Sequence, residues 1–129
     1  MAASHDLLEM LANPRLNLTV FVADETQLTG RLHVREICDP VSSSECAYKI
    51  GGVLVSDFVY PAWFESFRKP GSVQFDHGRH LSNSFEIASR GYLTVFDVKS
   101  GSGWHTEFGG ERPSKPKQKS TPKRKVRNQ

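Results

Sequence analysis

From Glu111 onward the chain can no longer build a core. The segment "ERPSKPKQKSTPKRKVRNQ" holds eight Lys and Arg against one Glu, spaces Pro113, Pro116 and Pro122 among its lysines, and has Val126 as its one bulky apolar side chain. It buries too little surface to offset the entropy of ordering, so residues 111–129 are predicted to be a disordered basic tail. Whatever folds must come from residues 1–110, about the usual size of one domain and too short for two full cores.

The break in composition is also a break in charge. Residues 1–110 carry nine Lys and Arg against thirteen Asp and Glu, a net of −4, while residues 111–129 carry a net of +7. A mildly acidic core repels a phosphate backbone on average, so attraction to nucleic acid or another polyanion is expected to be led by Lys115, Lys117, Lys119, Lys123, Arg124, Lys125 and Arg127. The sub-run "PKRKVR" resembles a nuclear-localisation cluster.

The opening "MAASHDLLEMLANPR" shows neither a basic leader nor a long apolar run, and Asp6 and Glu9 weigh against a transit peptide. No stretch approaches the roughly 20 apolar residues of a membrane helix, and no membrane partner is expected. Cys38 and Cys46 alone imply no disulfide framework. The expected setting is intracellular: cytoplasmic, or nuclear in a eukaryotic host.

Within the core, Ser4 is expected to cap a helix over about residues 5–12 that Asn13 and Pro14 end. "LNLTVFVA" then alternates Leu16, Leu18, Val20 and Val22 on one side, the period of a half-buried strand. After "DETQ", the stretch "LTGRLHVREI" alternates again and predicts a hairpin, with Leu32 and Val34 inward and His33 outward. "AYKIGGVLVSDFVY" reads as a strand with a bulge or close backbone approach at Gly51 and Gly52. Tyr60, Trp63, Phe64 and Phe67 fall at i, i+3, i+4 and i+7 behind Pro61, which predicts a short amphipathic helix with an inward aromatic stripe. Three or four further strands are expected beyond Ser72, including a hairpin of "GYLTVFDV" and "GWHTEFG" across "KSGS". The sum is an α+β domain: a small antiparallel sheet or partly closed barrel of five to seven strands, an N-terminal helix and one short internal helix.

Chemistry-bearing motifs are sparse. "DHGRH" gathers Asp76, His77, Arg79 and His80 in a loop, and His77 and His80 together with Cys38 and Cys46 are the candidate zinc ligands, although the Cys-x7-Cys spacing is unlike zinc-finger pairs. No nucleophile elbow and no phosphate loop is present, so no catalytic residue and no cofactor is assigned. The expected function is that of a small non-enzymatic binding protein, its tail contacting nucleic acid phosphates and its acidic core engaging a protein partner. The alternatives are an adaptor or inhibitor without a nucleic acid role, and a metal-dependent enzyme using the His77/His80 loop.

Overall fold

The computed structural model describes residues 1–15 and 17–110 of the chain. The helix α1 (Ala2–Ala12) is followed by strands β1 (Thr19–Asp24), β2 (Thr29–Val34), β3 (Tyr48–Ile50), β4 (Val53–Val55), β5 (Tyr92–Asp97) and β6 (Trp104–Phe108). Four of these make one antiparallel sheet in the order β1-β2-β5-β6, and β3 pairs with β4 as a separate hairpin. The class is α+β, as expected. The sheet is open rather than barrel-like, because β1 and β6 are its two edges and do not pair with each other.

Both hairpins expected in this sheet form. Asp24 organises the first turn by accepting hydrogen bonds from the Thr26 N–H and hydroxyl. Asp97 organises the second by accepting from the Lys99 and Ser100 N–H groups. The Gly51–Gly52 pair is a turn and not a bulge: both residues have positive φ (+55° and +82°), the requirement of a two-residue turn whose twist suits a hairpin. Leu16 and the tail, residues 111–129, lie outside the described residues.

Three expectations need correction. The internal helix is a single 3₁₀ turn, Pro61–Phe64, after which Glu65 is extended. The Trp63 carbonyl, which a continuing α-helix would offer to Phe67, accepts instead from the Phe85 N–H at 3.0 Å. Trp63 and Phe64 therefore enter the core while Phe67 is exposed. Of the strands expected beyond Ser72, β5 and β6 form; the stretch before them runs as irregular chain with one isolated bridge, Val59 to Asp76. α1 begins at Ala2, a turn earlier than expected, with Met1 as its cap; Ser4 lies inside it and accepts a hydrogen bond from the Ser56 N–H.

The core lies between one face of the sheet and the long segment from Ile37 to Gly91. Leu93 and Val95 of β5 project into it against Val41, Val59, Trp63 and Phe75. Trp63 is its centre: the indole meets Phe64 and Phe85 edge-on at 4.9 and 5.2 Å, and its N–H donates to the Glu86 carbonyl at 2.9 Å. That bond matters because a buried indole N–H without a partner is costly. Gly91 closes the wall, since a side chain there would strike the Pro40 carbonyl.

The face of β2 that turns inward is the one expected outside. His33 is buried, pairs across the ladder with Val20 and Val95, and lies 4.4 Å from the Phe85 ring. Its imidazole is held neutral, with a pKa pushed down to about 4 by burial and by Arg31, against a smaller opposing effect of Glu107. α1 likewise turns a polar side chain inward. Its Glu9 is buried and Leu7, Met10 and Leu11 are exposed, so polar groups dock the helix onto the domain.

Candidate functional site

Because β2 turns His33 inward, its apolar partners go to the outer face of the sheet. Register places Phe21, Leu32, Phe96 and Trp104 in one row across all four strands, since directly paired residues share a face. Tyr92 and Phe108 form a second aromatic pair beside it, with ring centroids 6.3 Å apart. The rings lean on one another: Phe96 and Trp104 meet edge-on at 5.4 Å, and Phe21 lies over Gly30, where no side chain intervenes. Phe21, Trp104 and Phe108 nevertheless leave 58%, 50% and 42% of their surfaces exposed.

The same alternation sends every charged strand residue of the sheet away from this row. Arg31, Asp97 and Glu107 belong to the opposite face, where Arg31 and Glu107 form an ion pair. The outer face thus bears no charged strand residue; the Thr94–Thr106 pair lies between its two aromatic pairs, and the Tyr92 hydroxyl at its edge bonds Asp39. Exposed hydrophobic surface gathered this way makes the face a candidate contact site. β6, which supplies Trp104 and Phe108, is also the last strand before the cationic segment begins at Glu111. The chain is anchored just before that point by the Gly109 N–H donating to the Gly91 carbonyl at 3.0 Å.

A second arrangement is built by the "DHGRH" loop. The Val59–Asp76 bridge and the His77 N–H, which donates to the Phe58 carbonyl at 2.9 Å, lay this loop beside the segment that follows β4. Asp57 and Asp76, both at 0% exposure, come together there with the exposed His80, and one ligand atom from each lies within 4.8 Å of the others. Backbone N–H groups fix the carboxylates. Asp57 Oδ1 accepts from Phe58 and Gly78, and the two oxygens of Asp76 accept from His80 and Leu81, all at 2.8–2.9 Å. Asp57 Oδ2 has no such partner. Burial, and then a hydrogen bond shared with the Asp76 carboxyl, push the Asp57 pKa up.

Of the four residues expected as metal ligands, His80 is the one that joins such a set among the described residues. His77 turns away from it, stacking on Phe58 at 5.1 Å and meeting the Tyr60 hydroxyl through Nδ1 at 3.1 Å. Cys38 and Cys46 are buried free thiols whose pKa values are pushed up, chiefly by burial, to about 12 and about 11. They are poor sources of thiolate at neutral pH.

A third cluster joins α1 to the segment after β2. Glu9 accepts from the Ile37 and Cys38 N–H groups at 2.9 and 2.7 Å, and His5 Nε2 lies 3.1 Å from Asp39 Oδ1. Glu36 shares a hydrogen bond with Asp39, which with burial pushes its pKa up to about 7. Every group here already has a protein partner, which suits a fastening between elements.

Sequence reasoning missed Asp57, Phe21, Phe96 and Trp104 as site residues. A lone acid inside the apolar run "VLVSDFVY" was the one available signal for Asp57. The aromatic row had none, because its rings come from three strands that only the fold brings together. The seven cationic positions from Lys115 to Arg127 lie outside the described residues. No helix among the described residues is long and apolar enough to cross a membrane. No protein-family model matches the chain, and comparison with curated proteins and with solved structures returns no match.

Proposed function

We propose that this chain is a binding protein for single-stranded nucleic acid, in which the outer face of the four-stranded sheet stacks unpaired bases and the cationic segment after β6 holds phosphates. The observation that carries this reading is the aromatic row of Phe21, Phe96 and Trp104, flanked by Phe108, of which Phe21, Trp104 and Phe108 are exposed and whose strands bear no charge on this face. Aromatic faces accept any base, and each stacked base contributes about 1–3 kcal/mol. An acidic core would otherwise repel the strand. The net charge of +7 in the 19 residues from Glu111 offsets that repulsion, and it is joined to the strand that carries Trp104.

Fluorescence anisotropy of a labelled single-stranded 20-mer tests both halves. Four to six phosphate contacts give a log-log salt slope of about −3 to −4, so affinity should fall roughly 50- to 300-fold between 50 and 200 mM salt. Ending the chain at Gly110 should abolish this salt-dependent binding. Trp104→Ala should weaken binding about 5- to 150-fold at constant salt while leaving the salt slope unchanged. If Trp104→Ala binds as the native chain does, the sheet face does not stack bases.

That last outcome would favour a second reading, a protein partner on the same face. Its support is the exposed Leu28 and Val98 beside the row and the lack of charge along it, a composition that also suits the apolar centre of a protein interface.

A further inference from the structure

We propose that Asp57, Asp76 and His80 form a site for one divalent first-row transition ion, Zn²⁺ or Mn²⁺, which ties the 76–80 turn to the segment following β4. Two observations beyond the clustering of acids support it. Asp57 is wholly buried, and no N–H or hydroxyl of the protein reaches its Oδ2, whose close neighbour is the equally buried Asp76 carboxyl. Gly78 lets the two donors converge: a Cβ at residue 78 would sit 2.9 Å from Asp57 Oδ2 and 2.7 Å from His80 Nε2, so both atoms pack against the same point of the glycine backbone.

The rest of the cluster behaves as a prepared donor set. Each of the other three carboxylate oxygens accepts at least one backbone N–H, which fixes the plane of each carboxylate and leaves the free oxygen toward the imidazole. Outer hydrogen bonds of this kind orient ligands and raise metal affinity. Two buried carboxylates this close cannot both stay ionised without a neutralising charge between them. A divalent cation supplies it and also occupies the orphaned oxygen. Two carboxylates with one imidazole suit borderline ions, whereas Ca²⁺ takes six to eight oxygen ligands and Mg²⁺ keeps most of its water. Because His80 is exposed, the remaining coordination positions face solvent and take water.

The competing arrangement is a proton held between Asp57 and Asp76, and titration calorimetry distinguishes them. Chelator-treated full-length protein should bind one Zn²⁺ or Mn²⁺ per chain, and Mg²⁺ at the same concentration should give no saturable heat. His80→Ala should weaken that binding at least tenfold; the ring is exposed, so its removal spares the core. His5→Ala, in the separate His5–Glu9–Asp39 cluster, should leave it unchanged. Residues 111–129 contain neither His nor Cys, so the tail adds no competing imidazole or thiolate. Absence of saturable binding for both ions would establish the shared proton and overturn the proposal. So would binding that survives His80→Ala.

Discussion

Replacing Glu9 by alanine removes the one side chain of α1 that reaches two backbone donors of the core. Its oxygens accept from the Ile37 and Cys38 N–H groups at 2.9 and 2.7 Å, and Glu9 is itself buried. Each buried N–H left unpaired costs about 1–3 kcal/mol. Some of that returns, because burial and the nearby Glu36 disfavour the ionised carboxylate and push its pKa up. The net loss should be about 2–3 kcal/mol, and Glu9→Gln, which keeps one acceptor oxygen, should cost about half as much. Leu11→Ala, on the exposed side of the same helix, should change stability by no more than about 0.5 kcal/mol. Urea denaturation followed by circular dichroism reads both. With a slope of roughly 1–3 kcal/mol per molar, Glu9→Ala should lower the midpoint by about 0.7–3 M. If Leu11→Ala costs as much as Glu9→Ala, the helix docks through its leucines and the polar clamp is not what holds it.

Other positions give equally definite expectations. Asn13→Ala should cost about 2–3 kcal/mol in the same assay, because this wholly buried amide accepts from the Asn17 and Leu18 N–H groups and donates to the Arg35 carbonyl. Gly91→Ala should cost about 1–3 kcal/mol by pressing on the Pro40 carbonyl, whereas Gly101→Ala, at a turn with φ of +63° and open space around it, should cost only about 1 kcal/mol. Stability should also depend on pH in two opposite senses. The folded pKa of Glu36 is raised from the usual 4.5 to about 7 beside Asp39, Glu9, His5 and Tyr92. Its contribution is therefore complete below about pH 4.5 and is lost as pH rises through 7; Glu36→Gln should flatten that decline in thermal melts. His33, beside Arg31, Glu107 and Phe85, is lowered from 6.5 to about 4, so its contribution is complete above pH 6.5 and is lost as pH falls toward 4. His33→Phe should flatten the acid limb.

The parts of this fold legible in the sequence are those fixed by neighbours along the chain. Alternation in "LTVFVA" and "RLHV", the Asp24 turn and the glycine-bearing "KSGS" connection specify hairpins through local hydrogen bonds and turn geometry, and those hairpins form. Which face of β2 turns inward depends on the Ile37–Gly91 segment that covers it, and apolar periodicity alone favours Leu32 over His33. The amphipathic spacing of Tyr60, Trp63, Phe64 and Phe67 misleads for the same reason: the Ser84 hydroxyl and the Phe85 N–H take the Ala62 and Trp63 carbonyls and stop the helix after one turn. His80 and Asp76 were legible as chemistry because they share a pentapeptide. Asp57, nineteen positions before Asp76, joins them through tertiary contacts: the isolated bridge at Val59 and the His77 and Gly78 N–H bonds to Phe58 and Asp57.

The two tryptophans of the chain make the central claim directly measurable. Trp63 is buried in the core, while Trp104 stands half exposed on the outer row of the sheet. A base stacked on that row must contact the Trp104 indole and quench its emission, whereas a polyanion held by the cationic segment alone need not touch it. Titrating the full-length protein with a single-stranded oligonucleotide should quench tryptophan fluorescence, and titrating it with inorganic polyphosphate of equal charge should not; Trp104→Phe should remove the oligonucleotide signal. Unchanged fluorescence at saturating oligonucleotide, or equal quenching by polyphosphate, would contradict base stacking on the sheet.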